Sequence, residues 1–371
     1  ELPHPQRRQR KLYTFNNERK FLHYRFTFSD FRAAAHFQLA GIELGRKGDV
    51  GFGATAPATP NYTNYTRKLD ISRAIQTVAY DQNGVHFQRE YFASHPANVM
   101  VFHLTADKPG AYTGNIALTD MHKGKIAVQG NRLTVTGSLA GYQTSREWFD
   151  PNSKEKFDIA LDYESQVLVL HDGGTVEAAD GRINFSKANS LTILVNAGTD
   201  YMPHAKGWRG DNPHERITRQ LADAAAQSVE SLRTAHVKDY RNLFGRTQLN
   251  LGATPAAQRD LPMYDRMLKY QGGAYDPELE ALVFQFGRYL GISCSRGALP
   301  TNLQGLWCNS NDPPWRGDFH NDVNIEMNYW PADVTNLSEC FEPFFRWVQS
   351  IRAGRTRQTK AAFNARGWTM R

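Results

Sequence analysis

Cysteine is scarce in this chain. Only Cys294, Cys308 and Cys340 occur in 371 residues, and none forms a C-x-x-C pair. An odd count without paired spacing argues against a disulfide framework and against a zinc site, so the three read as small buried side chains. Long hydrophobic runs are missing too: no stretch reaches the ~18–20 apolar residues of a helical membrane span. Glu1 opens no recognisable signal peptide, which is also what a mature secreted chain would show. Basic stripes are missing as well. The net charge is +7, yet the one basic cluster is PQRRQRK at positions 5–11, a run near the terminus that reads as a solvated tail. With no Lys and Arg interleaved with aromatics elsewhere, no nucleic-acid partner is expected.

What remains is ordinary globular material, 40% apolar and 22% charged, long enough for two or three domains. Aromatics reach 12%, and Tyr and Phe on β-strands account for most of that. Up to about residue 210 the texture is β. TVAYDQNGVHFQREYFA holds two strand-like runs joined by Asn83-Gly84, a strong hairpin signal. ANVMVFHLTA, GKIAVQGNRLTVTG, SQVLVLHDGGTVEAADGRINFS and NSLTILVNAG continue it, with turn residues every ten or so positions, as in an antiparallel sandwich. From Asn212-Pro213 the period turns helical, with no Gly or Pro until Gly245. DPELEALVFQFGRYLGISCS predicts an amphipathic helix capped by Asp276-Pro277, with Leu279, Leu282, Val283, Phe286 and Leu290 on one face. CFEPFFRWVQSIRAGRTRQTKAAF predicts one or two more helices. The expected organisation is α+β: a β-sandwich domain over 1–210, a helical linker over 211–258, and a helical region over 259–371 that is expected to be cut short or completed by a separate piece.

The densest chemistry lies in PWRGDFHNDVNIEMNYWPADVTNLSEC, from Pro314 to Cys340, where amides, carboxylates and an imidazole sit among aromatic faces. His320, Asp322, Asn324, Glu326 and Asn328 occupy alternate positions. In an extended segment all five would point one way, with Phe319, Val323, Ile325 and Met327 packed behind them. A row of that kind would line a pocket. The plainer alternative is a hydrogen-bonded loop bracing helix ends.

LPTNLQGLW, NDPPW, NIEMNYWPADVTNLSEC and ARGWTM resemble segments of family 95 glycoside hydrolases, the inverting α-L-fucosidases and their relatives. The likeness runs over roughly 60–371 and is most specific from 276 onward. It implies that the β-sandwich and linker lead into an (α/α)6 barrel, of which this chain holds the first helices. It also implies a glycan substrate, hydrolysis with inversion and no metal or organic cofactor. A secreted or periplasmic location follows only from that substrate class, and oligomeric state is not implied. Carried over by position, the family's sugar-binding imidazole falls on His320 and its second catalytic amide on Asn324. The first amide falls on Asp322, a departure. An amide orients water by donating and accepting hydrogen bonds, whereas a carboxylate accepts only and can take the proton itself. The candidate catalytic residues are therefore Asp322 and Asn324, and the candidate substrate-binding residues are His320, Trp315 and Arg366. The family's acid and base lie beyond this stretch, so Asp322 would act as base or share that work with a second carboxylate downstream. Trp307 and Trp330 read as core at least as well as sugar platforms, and Asn302 and Gln304 read best as loop braces. Two further expectations stay open: a degenerate, carbohydrate-binding relative, and a structural β-sandwich with a helical arm.

Overall fold

The computed structural model describes residues 62–145, 156–203, 205, 208–297, 299–306, 308 and 313–370. The basic run at 5–11 and Trp307 lie outside the described residues. Thirteen strands come first among these: β1 (Thr63–Asp70), β2 (Ile75–Gln82), β3 (Val85–Ser94), β4 (Val99–Ala106), β5 (Tyr112–Ile116), β6 (Lys125–Gln129), β7 (Arg132–Ser138), β8 (Gln143–Ser145), β9 (Lys156–Asp158), β10 (Asp162–Asp172), β11 (Thr175–Ala179), β12 (Arg182–Ala188) and β13 (Ser190–Thr199). An eight-stranded sheet runs β1-β2-β3-β4-β13-β10-β7-β6, a three-stranded sheet β11-β12-β5, and β8 pairs with β9. All the pairings are antiparallel. The β2–β3 turn is the expected one. Asn83 and Gly84 stand at φ 52° and 70°, the left-handed pair of a type I′ hairpin.

The large sheet is covered on both faces. Val167 and Val169 of β10 meet Leu133, Leu191 and Phe87, and the three-stranded sheet adds Tyr112, Ile183 and Ala188. The intervening Leu168 points the other way, to Val101, Leu194, Ile75 and Phe92. There the cover is helical: α1 (His214–Ala225) gives Ile217, Leu221 and Ala224, and α2 (Val229–Phe244) gives Leu232. Because β10 is apolar on both sides, its centre reads as an unbroken VLVL rather than an alternation. Each fully buried aliphatic side chain here contributes roughly 1.5–3 kcal/mol. Polar ties join α1 to the same face. Gln166, fully buried, donates to Thr218 at 2.8 Å and to Glu164 at 2.5 Å, and accepts from Arg132 at 2.6 Å.

Helices follow: α3 (Ala256–Arg259), α4 (Met263–Gln271), α5 (Pro277–Cys294), α6 (Asn324–Val334) and α7 (Ser338–Phe363). Antiparallel sheets followed by helices are thus as expected. Asp276 caps α5 through the Leu279 N–H at 3.0 Å, with Pro277 at the first helical position. Its carboxylate is fully buried and held by Arg266 of α4 through two bonds of 2.7 Å and by Thr254 at 2.6 Å. Those bonds, Arg266 foremost, hold the Asp276 carboxyl far below the usual carboxylate range. CFEPFFRWVQSIRAGRTRQTKAAF forms a single helix that tolerates Pro343 near its start.

Two expectations need correction. The apolar stripe of α5 is not covered: Leu279 is buried, but Val283, Phe286 and Leu290 are exposed, while Arg288 and Ile292 point inward. Arg288 can do so because α5 lies against the C-terminal end of α2, where carbonyl oxygens need donors. Its guanidinium donates to Leu243 at 3.0 Å and to Phe244 at 2.6 Å. The cysteines also differ among themselves, with Cys340 buried, Cys294 half-buried and Cys308 exposed.

Candidate active site

The polar row does not stay extended. α6 begins at Asn324, so Asn324, Glu326 and Asn328 lie on a helix and cannot share one side with His320 and Asp322. The signal for this was present beneath the alternation. Ile325, Tyr329 and Ala332, at i, i+4 and i+7, are the buried face of α6. Of the four residues expected to pack behind the row, Ile325 is buried and Phe319 sits 5.0 Å from the Trp347 ring, but Val323 and Met327 are exposed.

The helix start is a strained corner. Asp322 and Val323 are both left-handed, at φ 66° and 108°. Val323 is β-branched, for which positive φ is a marked outlier. Its N–H donates to the Glu326 carboxylate at 3.2 Å, the return half of a capping box. The Ile325 N–H reaches back to the carbonyl of His320 at 2.8 Å.

Around this corner the loops are braced. Asn302 donates to the Gly317 carbonyl at 3.2 Å, accepts from the Gln304 N–H at 2.9 Å, and gives its own carbonyl to Asn328. Gln304 donates to the Pro314 carbonyl at 3.1 Å. Both residues therefore act as the loop braces expected of them. The Tyr329 hydroxyl, at the centre of the α6 contact, takes the Thr301 N–H at 2.8 Å and lies 2.7 Å from Ser295 Oγ. Burial pushes its pKa up.

An open cavity of about 590 Å³ lies at the corner, lined by Asn321, Asp322, Glu326, Trp368, Thr369 and Met370. Asp322 is thus placed on a space large enough for a monosaccharide, with a second carboxylate and an indole beside it. The other candidates are not among its lining residues. His320 turns its ring edge-on to Trp315 at 5.7 Å, and its Nε2 is buried without a hydrogen-bond partner. Asn324 is exposed at the first position of α6. Trp315 is 71% exposed and Trp330 60%, so Trp330 is not core. Arg366 is exposed, two residues before the Trp368 that does line the cavity. Sequence reasoning missed Trp368 and Asn321, although both lie inside the quoted motifs. Among the described residues no group of three or more His, Cys, Asp or Glu side chains could hold a metal ion, and no helix is long and apolar enough to cross a membrane.

The segment that forms this corner falls within a match to the glycosyl hydrolase family 95 catalytic domain, over residues 228–371. Over that stretch the chain is similar to the family 95 catalytic domain. Residues 46–204 match a second family model, the N-terminal domain of glycosyl hydrolase family 65. Similar curated proteins include a probable alpha-fucosidase A of Aspergillus niger, 29% identical over 320 residues, and alpha-L-fucosidase 2 of Arabidopsis thaliana, 27% identical over 327 residues. Each alignment covers 82% of this chain and 38% of the relative, so this chain spans about two-fifths of the length of these relatives. Among solved structures, a putative kojibiose phosphorylase from human microbiome aligns with a TM-score of 0.41 at 9% identity, over 66% of this chain and 31% of its own.

Proposed function

We propose that this chain is part of an exo-acting glycosidase that removes terminal α-L-fucosyl, or closely related α-L-galactosyl, residues from glycans with inversion. The observation that carries the reading is Asp322 at the wall of an open cavity of about 590 Å³, within the stretch that matches the catalytic domain. In this reading Asp322 activates the attacking water, and a carboxylic acid outside this chain protonates the leaving oxygen, ~6.5–9.5 Å away as inversion requires. α4 to α7 are the first helices of an (α/α)6 barrel, and the exposed Val283, Phe286 and Leu290 of α5 would pack on its remaining helices. His320, Trp315 and Arg366 would contact substrate. Because glycans of this class lie outside the cytoplasm, the enzyme is secreted or periplasmic.

The test is hydrolysis of aryl α-L-fucoside and aryl α-L-galactoside by the full-length protein, with Asp322→Ala and Asp322→Asn beside it. Both variants should lose ~10²-fold or more in rate, as expected when a group that activates water is removed. Unchanged turnover would take Asp322 out of the chemistry. The carboxylate in place of the family amide also favours a second reading, a relative that holds the sugar without cleaving it. Fucose binding without release of the aryl group would decide for that.

A further inference from the structure

We infer that Glu326 is a positioning residue, one that holds Asp322 against the cavity by stabilising the left-handed corner at Val323; the inference rests on the reading of Asp322 just given. Its direction in space depends on two consecutive residues with positive φ, Asp322 at 66° and Val323 at 108°. Neither is glycine, and a β-branched side chain at Val323 makes the conformation costly. Something must stabilise it. Val323 has no side-chain acceptor to cap α6, and it is 43% exposed, so little packing holds it in place. Its carbonyl accepts the Met327 N–H at 2.9 Å as the first bond of α6, and its N–H is held by the Glu326 carboxylate at 3.2 Å. Glu326 is fixed in turn by α6, whose neighbouring Ile325 and Tyr329 are buried. The carboxylate thus joins a rigid helix to a strained loop residue one position from Asp322. Removing it would let Val323 relax toward negative φ, and the Asp322 carboxylate would swing with the backbone.

The inference makes Glu326 dispensable once the corner costs nothing. Glycine adopts positive φ without penalty, so Val323→Gly should remove the need for the cap. In the full-length protein on aryl α-L-fucoside, Glu326→Ala should lower kcat ~10-fold or more with KM little changed, as expected when a reacting group is misplaced by a fraction of an ångström. Glu326→Gln keeps an acceptor oxygen and should stay within ~3-fold of the parent, and Glu326→Ala placed on Val323→Gly should lose no more than ~3-fold relative to Val323→Gly alone. Three results would overturn the inference: native kcat in Glu326→Ala, a Glu326→Gln loss as large as that of Glu326→Ala, or no mitigation by Val323→Gly. Should the parent protein release no aryl group at all, the glycosidase reading fails by itself. Hydrogen exchange at the Val323 amide then decides the positioning role, faster in Glu326→Ala than in Glu326→Gln if the cap holds the corner, and equal in both if it does not.

Discussion

Tyr329 and Ser295 form the middle of a one-way chain of hydrogen bonds. Ser295 Oγ donates to the Cys340 carbonyl at 2.7 Å, so the Tyr329 hydroxyl, 2.7 Å away, must donate to Ser295 and is left to accept the Thr301 N–H at 2.8 Å. Every member is satisfied, and the chain joins α5, α6, α7 and the loop that carries Asn302. A buried polar network of this kind specifies one arrangement of its neighbours.

Tyr329→Phe keeps the ring stack on Phe344, at 4.9 Å, and removes only the hydroxyl. Thr301 then loses its acceptor in a buried setting, so the substitution should cost ~1–3 kcal/mol. Denaturant unfolding measures this. A loss below ~0.5 kcal/mol would mean that water replaces the hydroxyl there.

Arg288 poses a separate test. Its guanidinium reaches the carbonyls of Leu243 and Phe244 and also that of Thr247 at 3.1 Å. A lysine is a single point donor and cannot span carbonyls that the planar fork bonds from separate nitrogens. Arg288→Lys should therefore destabilise by ~1–3 kcal/mol, and Arg288→Ala by more. Equal stability of the parent and the lysine variant would deny the capping role.

His236 should make folding sensitive to mild acid. It is buried, its Nε2 lies 3.0 Å from the Arg73 carbonyl oxygen and 3.2 Å from that of Ala74, and burial lowers its pKa. The unfolded imidazole titrates near ~6.5. The unfolded chain therefore binds the proton first as pH falls, so this contribution to stability is complete above that pH and declines below it. The thermal midpoint should drop between pH ~7 and ~5 more steeply in the parent than in His236→Gln. Parallel profiles would remove His236 from the effect.

Local features of the fold were readable where one residue type has a single physical use. Asn83-Gly84 announced a left-handed turn, and Asp276-Pro277 announced a helix start. Neither the approach of β4 to β13 nor the fit of α1 on the large sheet could be read, because the first joins segments far apart in sequence, the second sets α1 against β13, β10 and β4 together, and no local pattern encodes either. At the site, alternate polar residues suggested an extended row. The structure instead follows the i, i+4, i+7 stripe of Ile325, Tyr329 and Ala332, because burying those three outweighs keeping the amides aligned. The left-handed Asp322–Val323 corner was illegible for a different reason. Nothing about a valine predicts positive φ, and the corner is visible only through the contact that sustains it.

The double coverage of the large sheet has a practical consequence for anyone dissecting this protein. A fragment ending near residue 210 would keep every strand yet strip Leu168, Leu194 and Val101 of Ile217, Leu221 and Leu232. Such a truncation exposes a sticky flank and invites aggregation. Severing after Phe244 keeps that flank sealed but strips the last carbonyls of α2 of Arg288, and Tyr240 and Leu243 of Ile292, so a cut that spares both must fall beyond α5.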